Sequence, residues 1–235
     1  MPYQLIALIP IIIFILVHFY AKKMNKLGAT QHRWFLSIGG GVAIAYVFVD
    51  LLPKLGKSEL IVKELFQGVF PYAERHVFVV ALIGFLLFFL LDRSKSILSK
   101  KGTFWFSLVS YALFNFFVGY AVVDENDPEV QPLALFTIAV ALHYFTNDYA
   151  LYKTHGSEYS EKIKWFLIFS LFAGWLLGWW ITLPPAAIAL VDAFIGGGMI
   201  MNVVRHELPS SNLNSLEAFS ISAIIYTIIL LAVGV

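Results

Sequence analysis

The side chains of this 235-residue chain best suited to chemistry lie in apolar surroundings. Leu142-His143-Tyr144-Phe145-Thr146-Asn147-Asp148-Tyr149 offers an imidazole, an amide and a carboxylate in one short stretch. An ionisable side chain at the middle of a helix in lipid costs roughly 2.5–3.5 kcal/mol on insertion scales, so it persists mainly where a partner or water meets it. Imidazole suits zinc and similar ions, and carboxylate or amide oxygen extends the choice to harder cations. His143 and Asn147 are four residues apart and share a helix face. Asp148 is turned well away from His143, so one helix does not aim both at one ion. The plainer role for His143 and Asn147 is hydrogen bonding to neighbouring helices.

Asn115 and Asn202 fall midway along other apolar runs, as ligands or as polar glue between helices. Asp50 and Glu207 lie towards opposite ends of the path across the membrane, Asp50 near the outside and Glu207 near the cytoplasm. There they would collect and release a cation, or simply mark a membrane interface. His18 and Asp192 stand in apolar stretches with no partner that the sequence names. Enzyme motifs are missing. His206-Glu207-Leu208-Pro209-Ser210 begins like a zinc-protease helix, but Ser210 occupies the place of the second histidine. No nucleophile elbow, phosphate loop or dinucleotide fingerprint occurs, and an enzyme is disfavoured.

The elements that must position these residues follow from composition. Sixty per cent of the residues are apolar and only 13% charged, about half the charged share of a soluble domain. The deficit calls for a second apolar phase around the protein. A net charge of +1 argues against nucleic acid, which needs a basic patch or stripe. With no cysteine, disulfides, thiolate metal sites and thiol nucleophiles are excluded.

A helix needs about 20 residues to cross the hydrocarbon core. Runs of that kind cover 3–22, 34–55, 73–91, 103–123, 132–152, 163–182, 185–207 and 214–235. The first has no Lys or Arg before it and no small-residue cleavage site after it, so it reads as a retained helix. Basic segments at 22–26 and 94–101, the acidic Asp124–Glu129 stretch and Pro184-Pro185 separate the runs. Asn214-Ser215-Leu216-Glu217 reads as a capping box opening the last helix. Counting from residue 132, His143 lies about 17 Å along its helix, close to the bilayer centre. The odd-numbered loops hold 12 Lys and Arg against 4 in the even ones, which places both termini outside the cytoplasm.

Ile38-Gly39-Gly40-Gly41 in the second run recurs as Ile195-Gly196-Gly197-Gly198 in the seventh. An acid follows nine residues after the last glycine in both, Asp50 and Glu207, and a proline soon after, Pro53 and Pro209, although the proline offset differs by one. Those two helices run in opposite directions under the topology above, the mark of an inverted repeat. The simpler reading is that glycine triplets let membrane helices pack closely.

These residues, in their order, resemble the ZIP family of zinc- and iron-type divalent metal transporters. The resemblance rests on Ser37–Ala43 through Asp50-Leu51-Leu52-Pro53, Ala81–Phe88, Ala112–Gly119, Ala141-Leu142-His143 and Gly197-Gly198 to Leu208-Pro209. It covers nearly the whole chain. It implies an all-α polytopic membrane protein of eight transmembrane helices in a 3+2+3 arrangement. Repeat A spans about 3–92, the central helices about 103–152 and repeat B about 163–235, all in one transmembrane domain, 1–235. The family's metal site lies on its central helices. There Asn115 and Gly119 match the family's fourth helix, while Phe114 and Val118 replace its His and Asp. His143 matches in the fifth, while Thr146 replaces its Pro and Asn147 its acid. The histidine-rich loop after the third helix is absent, since 94–101 is basic and holds no His.

The resemblance thus implies metal ligands His143, Asn115 and, by position only, Asn147; Asp148, outside the family's pattern, is the candidate negative charge. The expected function is transport of zinc or another divalent cation through a weakened central site. The alternative is a scaffold, sensor or partner-binding membrane protein that has lost transport. No resident cofactor is implied beyond such an ion. The expected partners are the lipid bilayer and the ion, with room for a homodimer, and the expected location is a bacterial inner (plasma) membrane.

Overall fold

The computed structural model describes residues 3–21, 29–66, 75–123, 130–155, 161–204 and 215–233. All regular structure among these residues is helical, as expected. The first rod is broken into α1 (Tyr3–Ile6) and α2 (Leu8–Tyr20). Pro10 accounts for the break, because it supplies no N–H for a bond to the Ile6 carbonyl and its ring crowds that turn. The second rod runs through α3 (Ala29–Tyr46), a π-helical turn at Val47–Leu51, α4 (Leu52–Lys57) and α5 (Glu59–Phe66). Then come α6 (His76–Ile97), α7 (Lys100–Ala121), α8 (Val130–His155), α9 (Glu161–Trp180), α10 (Pro185–Asn202) and α11 (Leu216–Val233).

Five described segments are long and apolar enough to cross a membrane: Arg33–Glu64, Lys100–Ala121, Ile163–Trp180, Pro185–Asn202 and Leu216–Val233. Leu8–Tyr20 and His76–Leu91 are shorter apolar helices. At 26 residues α8 has the length, but its polar residues His143, Thr146, Asn147 and Asp148 lower its apolarity. All four are buried by other helices. Outward faces are greasy: Ile221, Ile224, Ile225 and Ile228 on α11 and Trp165, Phe169 and Trp180 on α9 are exposed. Such surfaces belong against lipid, and the chain is a helical membrane protein.

The largest departure from expectation is the second span. Sequence periodicity ends it at residue 55, yet helix continues to Phe66. Its Val62 is fully buried beside Leu55, Val77, Ala186 and Ala193, so packing against α10 carries the helix past Ser58. The α6–α7 connection is also tighter than the basic 94–101 segment implied. Ser99 caps α7 by accepting from the Gly102 N–H, and Thr103 donates to the Ser94 carbonyl across the turn. At α11, Ser215 is the capping residue: its hydroxyl accepts from the Ala218 N–H and its own N–H donates to Ser37 of α3. Asn214, the acidic 124–129 segment and the basic 22–26 segment lie outside the described residues.

Helix pairing has an internal symmetry. The most extensive pairings are α6 with α10, α7 with α9 and α3 with α11, followed by α3 with α8 and α2 with α8. Exchanging α2, α3, α6 and α7 for α9, α10, α11 and α8 maps α3–α11 onto α10–α6 and α7–α9 onto α8–α2. It also maps α3–α8 onto α10–α7, another observed pair. In α3 a Cβ on Gly41 would collide with the Phe219 carbonyl of α11, and in α10 one on Gly197 would collide with the Ala81 carbonyl of α6. Only glycine permits those approaches. Six residues on, α3 enters its π-helical turn at Val47 and α10 enters one at Val203. The offset is 156 residues for both features, as it is for Pro53 and Pro209. The contacts therefore align the prolines, and the acids Asp50 and Glu207 fall one residue out of step.

Candidate functional site

The core polar cluster is assembled from three helices. Helix α2 presents Phe14 and His18 four residues apart, hence on one face. The same spacing on α8 presents Tyr144 and Asp148. The two faces interlock. Phe14 meets Tyr144 edge-on with ring centroids 5.2 Å apart, and the His18 and Tyr144 rings lie 5.1 Å apart. Beyond the aromatic layer, His18 Nδ1 lies 2.6 Å from Asp148 Oδ2. Helix α7 closes the cluster from the other side, with Asn115 Oδ1 2.9 Å from His18 Nε2. The Asn115 amide nitrogen donates to the Tyr111 carbonyl at 2.8 Å, which sets the direction of its oxygen. His18, Asn115 and Asp148 are each at most 2% exposed, so no solvent screens the pair.

Two of the four expected ligands, Asn115 and Asp148, are thus brought together, and the group joining them is His18. The sequence alone names no partner for that histidine. Its signal was energetic: an isolated imidazole in an apolar run demands a partner in another helix. His143 lies five residues before Asp148, about 140° around the helix. Its ring packs on Phe114, centroids 5.5 Å apart, at the position where the family resemblance places a second histidine. Thr146 donates to the His143 carbonyl. Asn147 is buried, and neither atom of its amide has a hydrogen-bond partner among the described residues. The Tyr144 hydroxyl is in the same condition.

Asp50 occupies the π-helical turn of the second span and is 3% exposed. Because helix continues to Phe66, Asp50 sits inside the span and not at its end. Lys54, one turn on, places its Nζ 3.6 Å from Asp50 Oδ1. Tyr46 is hydrogen-bonded to Asp50 and also feels the charge of Asp192 on α10. Tyr226 of α11 lies near Asp50 and donates to the Leu135 carbonyl of α8 at 2.5 Å. Asp192 therefore has a setting that the sequence did not supply, at the junction of α3 and α10. Asn202 is buried in α10. Glu207 lies outside the described residues, as does the His206–Ser210 motif.

Chemically, the His18 cluster supplies one imidazole, one carboxylate and one amide oxygen. Among the described residues no group of three or more His, Cys, Asp or Glu side chains is placed to hold a metal ion. A site here would take one cation with mixed nitrogen and oxygen donors. No family model matches the chain, and no curated protein matches it. Fold and site together define a class: a helical membrane protein with a charged, hydrogen-bonded centre shared by α2, α7 and α8.

Proposed function

We propose that this protein is a ZIP-like carrier of a divalent cation, with eight membrane crossings, both termini outside the cytoplasm and a bacterial inner membrane as its home. The observation that carries this reading is the meeting of His18, Asn115 and Asp148 at the buried centre. A cation in low dielectric needs compensating charge. Asp148 supplies a carboxylate where the resemblance, taken alone, left a histidine and neutral amides. The exchange symmetry of the helix pairs and the shared offset of the glycine contacts and π-helical turns support two related sets of helices. Run in opposite directions, such sets open a central site to each side in turn. Donors drawn from α2, α7 and α8 come from both sets, so relative movement would make and break the site.

Purified protein in liposomes tests the proposal. Saturable uptake of zinc, cadmium or manganese is expected, with loss in Asp148→Asn, a variant of nearly unchanged shape. A second reading, a scaffold without transport, is favoured by the mutual satisfaction of His18, Asn115 and Asp148 and by Phe114 and Val118 at two family ligand positions. Absence of uptake by correctly folded wild-type protein selects it.

A further inference from the structure

We propose that the cation seat is the line between His18 Nδ1 and Asp148 Oδ2, and that Asn115 is a positioning residue and not a ligand. The inference rests on the carrier reading and changes its ligand set: the working imidazole belongs to α2 and not to His143.

The argument begins at Asn115. Its amide nitrogen is committed to the Tyr111 carbonyl, so its oxygen faces His18 Nε2. An amide oxygen only accepts, so Nε2 carries a hydrogen and donates it. Both lone-pair-bearing atoms on the other side, Nδ1 and Asp148 Oδ2, then face each other at 2.6 Å. Two acceptors do not sit at that distance without a positive centre between them. In the closed arrangement that centre is a proton. A metal ion is the alternative occupant.

The ring is set up for it. Metal-bound histidines almost always donate their other N–H to an oxygen, which fixes tautomer and ring orientation, and Asn115 is that oxygen here. Zinc–ligand bonds of about 2.0–2.2 Å at a tetrahedral angle put nitrogen and oxygen roughly 3.4 Å apart. Opening the present 2.6 Å gap to that value takes less than ~1 Å, within reach of side-chain rotation. A further donor stands on the same face of α8: the Tyr144 hydroxyl is buried without a hydrogen-bond partner among the described residues. Native interiors rarely leave such a group unsatisfied without a reason, and a bound cation gives it one. An imidazole with one carboxylate selects zinc-like or cobalt-like ions over magnesium and calcium, which prefer all-oxygen shells. By contrast, the His143 ring is packed on Phe114, which offers no donor.

Cobalt(II) titration of the purified, full-length protein in detergent tests this, because visible absorption reports the ligand set without any transport step. Wild-type protein is expected to bind one ion with a nitrogen–oxygen spectrum. His18→Gln keeps an amide N–H near Nε2 but removes Nδ1, and binding should disappear; His143→Ala should bind as wild type. Asn115→Ala should weaken affinity by about 10–100-fold while leaving the spectrum unchanged, the behaviour of an orienting partner. If His18→Gln fails to fold, His18→Asn, whose amide N–H still reaches Asp148, gives the same readout. Unchanged cobalt binding in the folded His18 variant, or loss in His143→Ala, overturns the proposal. If wild-type vesicles still take up metal in that case, the carrier reading survives it. Wild-type protein that neither binds cobalt nor transports removes both.

Discussion

The α7–α9 and α2–α8 contacts are related by the helix exchange, yet they are built by opposite means. Between α7 and α9 the backbones touch. A Cβ on Gly119 would collide with the Leu171 carbonyl, and one on Gly174 with the Phe116 carbonyl. Ser170 donates to the Ala112 carbonyl there at 2.5 Å, and just past the end of α9 the Tyr120 hydroxyl of α7 donates to the Ile181 carbonyl and accepts from the Leu183 N–H. Between α2 and α8 no glycine pair appears; a histidine, a carboxylate and two aromatic rings fill the gap. One contact is close, dry and fixed by shape. The other is wider and fixed by charge. Backbone contact gains dispersion energy and has nothing to exchange, whereas an ion pair offers an occupant that can be swapped. The asymmetry points to α2–α8 as the working seam and α7–α9 as its support.

The sharpest way to break the polar seam is Asp148→Ala. Removing one member of a buried pair leaves the other uncompensated, and a loss of about 3–5 kcal/mol is expected. Denaturant or thermal unfolding in detergent measures it, and a change below 1 kcal/mol, by the same scale, would mean that the pair is screened. Next in size is Gly119→Ala, which drives a methyl group into a carbonyl that cannot rotate aside. Overpacking of this kind costs typically 1–3 kcal/mol, and the melting temperature should fall while cobalt binding is unchanged.

The double substitution His18→Leu with Asp148→Leu would turn the polar seam into a version of the dry one. Replacing a buried ion pair with apolar residues is often neutral or stabilising by 1–4 kcal/mol. The expected outcome is a melting temperature at or above wild type with metal uptake abolished. A protein destabilised as severely as Asp148→Ala would show that the pair is needed for shape. The smallest effect belongs to Ser170→Ala. Hydrogen bonds between membrane helices average about 0.6 kcal/mol, so its unfolding curve should barely move; a large shift would show that α7–α9 depends on more than shape.

How far the sequence reaches differs between these same seams. The span at 163–182 matches α9, Glu161–Trp180, to within two residues at each end, because one uninterrupted apolar run determines it. The run at 103–123 likewise finds α7 within three. The sequence pattern ends the second span short because Glu59, Lys63 and Glu64 interrupt the apolar residues of α5. Its helix depends on α10 burying Val62, a tertiary fact. Asn115 and Asp148 could be picked out as costly residues in apolar runs. Their joining through His18 could not, because 97 and 130 residues separate the partners. The glycine triplets announced a repeat, but the residue alignment within it needed carbonyl contacts that no linear pattern displays.

The wide turn at Val47–Leu51 inserts an extra residue into a continuous helix. Each residue of an α-helix rotates the chain by about 100°. Every side chain after Leu51 therefore points where its neighbour would have pointed had the coil stayed regular. Leu55 and Val62, each at most 1% exposed, owe their inward orientation to that shift in phase. Deleting one residue from the turn would restore a regular coil and leave both pointing inward, whereas straightening the turn without a deletion would swing both by about 100°.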